Sequence, residues 1–190
     1  LINTLHPQKI PTMDSNYTVE KGTVEIYRIR TKSSGWADIT IDANGSKGRI
    51  SIASDYGRWS NYWGACGDSF KTFLAKVNME YVADKFDEDR WFDHEATLLS
   101  YKREIIELRR DYTLSAKTSR DLWDELKTLD YCTREEEFCM ELARCNELMM
   151  FFNHCPEIVR DVSPIFKMFW KEIWPILLGE FKNEELTQHT

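Results

Sequence analysis

From Trp36 to Trp63 the chain alternates in character at every second position, and turn-forming residues interrupt the alternation. Ala37, Ile39 and Ile41 fall on one side of an extended segment, and Asp38, Thr40 and Asp42 on the other. Asn44-Gly45 follows, the strongest short hairpin signal in the chain. Beyond it, in Gly48–Ser54, Ile50 and Ile52 oppose Arg49 and Ser51. Asp55-Tyr56-Gly57 turns the chain again, and Arg58–Trp63 sets Trp59 and Trp63 against Arg58, Ser60 and Tyr62. Upstream, Tyr17–Thr31 is rich in Tyr, Thr, Val and Ile, with a bend expected at Gly22. This pattern admits little besides an antiparallel meander of three to four strands within residues 17–63.

After Gly64 the period changes. Asp68 or Ser69 can cap a helix that carries Phe70, Phe73, Leu74 and Val77, and Asn78 allows a break before Tyr81, Val82 and Phe86. In Trp91–Tyr112 the residues Leu98, Tyr101, Ile105, Leu108 and Tyr112 step by three and four, the stripe of an amphipathic helix. Ser119–Leu129 repeats this with Leu122, Leu126 and Leu129. Thr133 and Glu136 read as a capping box opening one helix through Phe138, Leu142, Cys145, Met149 and Phe152. Ser163-Pro164 has the order of cap and first helical residue, and Pro175 should kink or end the helix it starts, with fraying from about Lys182. Residues 1–16, with Pro7 and Pro11, read as a flexible N-terminal arm. Strands first and helices after point to an α+β fold. The expectation is a single domain over 17–190, with the sheet in 17–63 and a bundle of four to six helices in 68–181.

The composition can fill such a core: 42% of 190 residues are hydrophobic, and seven are Trp. The net charge of −7 is uneven, with a slight basic excess before residue 65 and a strong acidic excess after it. That balance argues against general nucleic-acid binding, which needs dense Lys and Arg to displace phosphate counterions. Five cysteines at irregular spacing read as free thiols in a reducing compartment. The most apolar segment, Ile165–Leu178, is interrupted by Lys167, Lys171 and Glu172 and reads as a buried helix, so no membrane role and a cytoplasmic location are expected.

Catalytic motifs are not recognisable. Gly64–Asp68 (GACGD) enters a helix, but its spacing matches no phosphate-binding fingerprint. Cys66 precedes that helix, whose N-terminus would lower a thiol pKa, and His94 and His154 are the histidines that could serve it as a base; His6 and His189 lie in expected tails. Asp87–Ala96 gathers carboxylates around His94, yet acidic residues in a first helical turn are ordinary dipole partners. Cys139, Cys145, His154 and Cys155 lack the close pairs of a structural zinc site. The unusual feature is the aromatic group Trp36, Tyr56, Trp59, Tyr62 and Trp63 beside Arg49 and Arg58. Strand alternation sends Trp59 and Trp63 to the core and leaves other members for a partner, since Trp, Tyr and Arg dominate binding hot spots.

The segment Ser54–Leu74 resembles a group of uncharacterised bacteriophage and mobile-element accessory proteins, through Asp55, Tyr56, Gly57, Tyr62, Trp63, Gly64, Phe70, Phe73 and Leu74. The likeness spans about Gly48 to Phe86. It implies a small phage protein acting in a bacterial cytoplasm by binding a host factor. The expected function is therefore a non-enzymatic interaction protein, an inhibitor or modulator of a host defence or replication factor, with a protein partner of host origin or a second copy. Its partner-binding residues would be Trp36, Tyr56, Arg58 and Tyr62, with no catalytic residue, cofactor or metal. A second reading is a nucleic-acid binder that presents Arg28, Arg30, Lys32, Arg49 and Arg58 on one face. A third is an enzyme of unrecognised class.

Overall fold

The computed structural model describes residues 19, 21–32, 34–154 and 156–188. The proposed arm at 1–16 lies outside them. An antiparallel sheet comes first, with strands β1 (Glu25–Arg30), β2 (Trp36–Asn44), β3 (Lys47–Ser54) and β4 (Arg58–Trp63) paired in sequence order. The first strand begins at Glu25, later than the composition of 17–31 suggested. The β2–β3 turn is formed by Gly45 and Ser46 rather than Asn44 and Gly45, since Asn44 pairs with Lys47. Gly45 has φ +61, and a glycine at the first central position is what a tight hairpin of this kind requires.

Eight helices follow among the described residues: α1 (Phe70–Leu74), α2 (Met79–Lys85), α3 (His94–Arg110), α4 (Ala116–Leu129), α5 (Glu135–Leu142), α6 (Asn146–Phe151), α7 (Pro164–Glu172) and α8 (Trp174–Gln188). Two three-residue strands, β5 (Arg90–Phe92) and β6 (Arg160–Val162), form a separate antiparallel pair that the sequence pattern did not announce. The architecture is α+β, with more and shorter helices than expected.

Caps explain most helix starts. Ser69 accepts from the N–H of Thr72, Asn78 from Tyr81, Asp93 from Ala96, Ser115 from Thr118 and Ser163 from Phe166. The capping box at Thr133 does not form: Arg134 holds the cap position of α5 and makes no side-chain cap bond. Nor is 133–152 one helix. The Glu125 carboxylate of α4 accepts the N–H groups of Glu147, at 3.2 Å, and Leu148, at 2.8 Å, capping α6 from another helix. This tertiary contact supports a break for which the local sequence has no glycine or proline. At Trp174 the helix restarts with Pro175 in the first turn, where a missing N–H costs nothing. Instead of fraying at Lys182, α8 continues to Gln188. Lys71 of α1 sits 2.5 Å from both Glu25 and Glu184, and the Tyr27 hydroxyl shares its one proton between Glu25, at 2.6 Å, and Glu184, at 2.8 Å, tying α8 to β1. Burial alone would raise the pKa of Glu25; hydrogen bonds from Lys71 and Tyr27 outweigh it and hold the carboxyl below its ordinary value.

Two apolar clusters result. One lies between the inner face of the sheet and α1, α2, α7 and α8. Trp59 packs among Phe86, Phe166 and Phe169, with ring centroids 6.2, 5.0 and 4.9 Å away. Its indole donates to Glu88, at 2.6 Å, which also accepts from the hydroxyl of Ser163. Trp63 meets Phe70 and Phe73 at 5.7 and 5.8 Å and donates to the Tyr81 hydroxyl at 2.9 Å. Gly48 lies under Phe70, whose ring would stand 2.2 Å from a β-carbon there. The second cluster joins α3, α4, α5 and α6 through Leu98, Tyr101, Ile105, Leu122, Phe138 and Leu148. The α3 stripe thus packs in this cluster through Leu98, Tyr101 and Ile105. Tyr112 leaves the stripe: the helix ends at Arg110, and Tyr112 is 88% exposed with φ +58. The β5–β6 pair is the seam, with Val162 in the first cluster and Phe92 packed against the second. Thr97 fastens it, donating to Asp93 O and accepting from the N–H of Val159.

Trp63→Ala should cost ~3–5 kcal/mol, because it opens a cavity beside the rings of Phe70, Phe73 and Phe86. Tyr62→Ala, one residue away on the other face, should leave the thermal midpoint near wild type. Thermal melts of the two variants check the register, and the reverse order would put the tryptophans outside.

Candidate functional site

Register decides what the sheet shows on its outer face. Glu25, Tyr27 and Ile29 alternate with Ile26, Arg28 and Arg30 along β1, and Ile29 is buried. Arg28, Asp38, Ala53 and Arg58 therefore lie in one row across the four strands. The next row is Ile26, Thr40, Ser51 and Ser60, and the one after it holds Asp42, Arg49 and Tyr62. Arg30 and Trp36 stand opposite each other at one end.

Outward side chains contact those of neighbouring strands. The Arg30 guanidinium lies 2.8 Å from Asp38 and 5.6 Å from the centre of the Trp36 ring. Arg49 lies 5.9 Å from the Tyr62 ring centre, within cation–π range. Ser51 and Ser60 hydroxyls share a hydrogen bond of 2.9 Å. Tyr62 is 54% exposed, Ile26 50%, and Arg28, Arg49 and Arg58 are exposed as well. The middle of the face is flat, built from Thr40, Ser51 and Ser60. Arginines and two aromatic rings surround it.

Three of the four residues expected to bind a partner, Trp36, Arg58 and Tyr62, share this face. Tyr56 does not. It follows β3 in the turn before β4, sits edge-on to Phe169 at 6.3 Å, and donates its hydroxyl to Glu172 of α7 at 2.7 Å. That bond, with burial adding to it, pushes the phenol up to about 12. Tyr56 is thus a fastener between sheet and helix. Ile26, Asp38 and Asp42 belong to the face and escaped the sequence reading, although period-two alternation placed the two aspartates opposite buried Ile39 and Ile41.

The other candidate chemistry disperses. The helix after GACGD has only five residues, and that segment serves the hairpin: the N–H of Cys66 donates to Ser46 O and that of Phe70 to Gly45 O. Burial raises the Cys66 pKa, opposite to the lowering expected of a helix N-terminus. Cys132, Cys139 and Cys145 are also raised, each by burial first. The Cys145 thiol lies 3.5 Å from Glu141 O as a packed group. Cys155, His6 and His189 lie outside the described residues. The His94 ring bonds Leu129 O at 2.9 Å and packs beside Phe92 and Phe138, so it bridges α3 to the end of α4. His154 sits in a turn at φ +59. Among the described residues no cluster of His, Cys, Asp and Glu is arranged to hold a metal, and no helix is long and apolar enough to cross a membrane.

A protein-family comparison matches residues 17–177, the whole sheet and nearly all the helices, to a family described as a phage family. The chain belongs to this phage family. The likeness read in Gly48–Phe86 thus extends into the helical half. No curated protein and no solved structure matches the phage protein.

Tyr56→Phe should destabilise this phage protein by about 1 kcal/mol at neutral pH, at the low end for a bond to a charged acceptor because water reaches it. The phenol is raised on folding, so the contribution is whole below pH 10 and is lost as pH rises through about 12. Urea melts of both proteins from pH 7 upward should show a constant difference that shrinks only beyond pH 10. A difference already falling below pH 9 would contradict the bond.

Proposed function

We propose that this phage protein is a non-enzymatic binding protein whose partner is a host protein docking on the open face of the sheet. The observation that carries the reading is the gathering of Trp36, Arg58 and Tyr62 with Arg28, Arg30 and Arg49 on one face of the sheet that no element among the described residues covers. Residues of these types form the anchors of protein interfaces, and rings already held beside guanidinium groups lose little freedom on binding. The partner would present acidic groups to the surplus arginines and a flat patch to the Thr40–Ser60 row. A phage protein of this kind would act by occupying a surface that a host defence or replication factor needs.

One observation favours a nucleic-acid ligand instead: Arg28, Arg30, Arg49 and Arg58, four of the five residues that reading required, share the outer face, while Lys32 lies beyond the end of β1. Two carboxylates weigh against it. Asp38 and Asp42 lie on β2 within the face, where a phosphate backbone would pass, and the whole chain carries −7. Trp36 and Tyr62 also lie in different rows near opposite ends of the face, unlike adjacent stacking platforms.

Affinity purification from the host with the wild-type chain and with a Tyr62→Ala, Arg58→Glu double variant tests the proposal. A stoichiometric protein should be retained by the first and lost by the second while the thermal midpoint is unchanged. Retention of the same protein by both would remove the sheet face from the interface. Salt-sensitive binding of oligonucleotides, lost in the variant, would instead establish the nucleic-acid reading.

A further inference from the structure

The helical half carries a second surface whose charge runs against its surroundings. Between α3 and α4 lies a groove of about 380 Å³. Its floor is Ile105, Ile106 and Trp123, and its rim is Arg109, Arg110 and Arg120. Residues 65–190 are strongly acidic as a whole, yet among the described residues Asp124 is the one carboxylate lining this groove, and Lys127 engages it at 2.6 Å. The three arginines are exposed and make no ion pair among the described residues. Arg109 and Arg110 stand in the last turn of α3, where the helix dipole favours cations. That reason does not extend to Arg120, near the start of α4, where the dipole gives a cation no support. Ile106 keeps 38% of its surface exposed, and Trp123 is only partly buried.

We propose that this groove docks an acidic amphipathic helix of a partner protein, its apolar side on Ile106 and Trp123 and its carboxylates on Arg109, Arg110 and Arg120. A helix seats apolar anchors at i and i+4 in a groove between two helices, and acidic residues flanking them would meet the guanidinium rim. Charge complementarity selects this occupant. A basic or neutral helix would leave three arginines without partners, and the chain's acidic net charge would not draw in a nucleic acid. The groove lies on the α3–α4 pair, apart from the sheet face, so the two surfaces can be tested separately.

The test is fluorescence anisotropy of the 190-residue chain with a labelled synthetic peptide helix bearing Leu and Phe at i and i+4 and Glu at the flanking positions. Saturable binding is expected, weakening as salt rises. Arg109→Glu with Arg120→Glu should weaken it by about ten-fold or more, whereas Tyr62→Ala should leave it unchanged. Peptides with Ser at the anchors, or with Lys in place of Glu, should fail to bind. The proposal is overturned if the Glu peptide does not saturate, or if the Ser-anchor peptide binds equally well. It is also overturned if the charge-reversed chain binds the peptide as tightly as wild type does. Sedimentation of the chain alone showing a dimer lost on Arg120→Glu would assign the groove to a second copy. Binding of an oligonucleotide lost in the same variants would assign it to nucleic acid. Either result overturns the proposal.

Discussion

Trp59 is wedged between the sheet and α7, and much of the molecule follows from that contact. Its ring packs against Phe86, Phe166 and Phe169, and its indole N–H ends on Glu88. Glu88 also receives the hydroxyl of Ser163, the residue that caps α7. One buried side chain therefore fixes the face of β4, the position of the loop after α2, and the start of the helix that covers the sheet. A shift of one residue along β4 would bury Arg58 and Tyr62 without partners and expose both tryptophans, so the register is strongly specified.

The open face is the other half of that constraint. Because Ile39, Ile41, Ile50, Ile52, Trp59 and Trp63 are committed inward, Trp36, Arg49, Arg58 and Tyr62 have no option but the outside. Pairing on the outer face partly organises them, with Arg30 beside Trp36 and Asp38, and Arg49 beside Tyr62. The surface proposed to receive a partner is thus set by the same alternation that builds the core.

The parts of this structure legible in the sequence are those dictated by local periodicity. Alternation between Trp36 and Trp63 revealed β2, β3 and β4; the cap at Ser163 could be read from side-chain chemistry alone, and the structure selects Ser69 over Asp68 for the cap of α1. The misses come from tertiary contacts. Glu125 caps α6 from a distant helix, so the break after Leu142 left no local mark. Glu184 and Phe181 hold α8 past Lys182 by contacts to β1 and α1. Strands as short as Arg90–Phe92 carry too few residues to show a period. Tyr56 was misplaced because it lies in a turn, where alternation does not apply, and a bond to Glu172 drew it inward. The α3–α4 groove was hidden because Arg109, Arg110 and Arg120 read as ordinary solvated charges until the two helices brought them together.

Site-specific photocrosslinking tests most directly whether the sheet face is where the partner sits. Ser60 lies in the flat central row, is exposed, and can carry a photoreactive side chain without entering the core. Irradiation in host cells should join position 60 to one discrete protein species, absent when the photoreactive group stands at exposed Thr128 on α4. Equal adducts from both positions, none from position 60, or an adduct to nucleic acid would contradict a protein-binding face on the sheet.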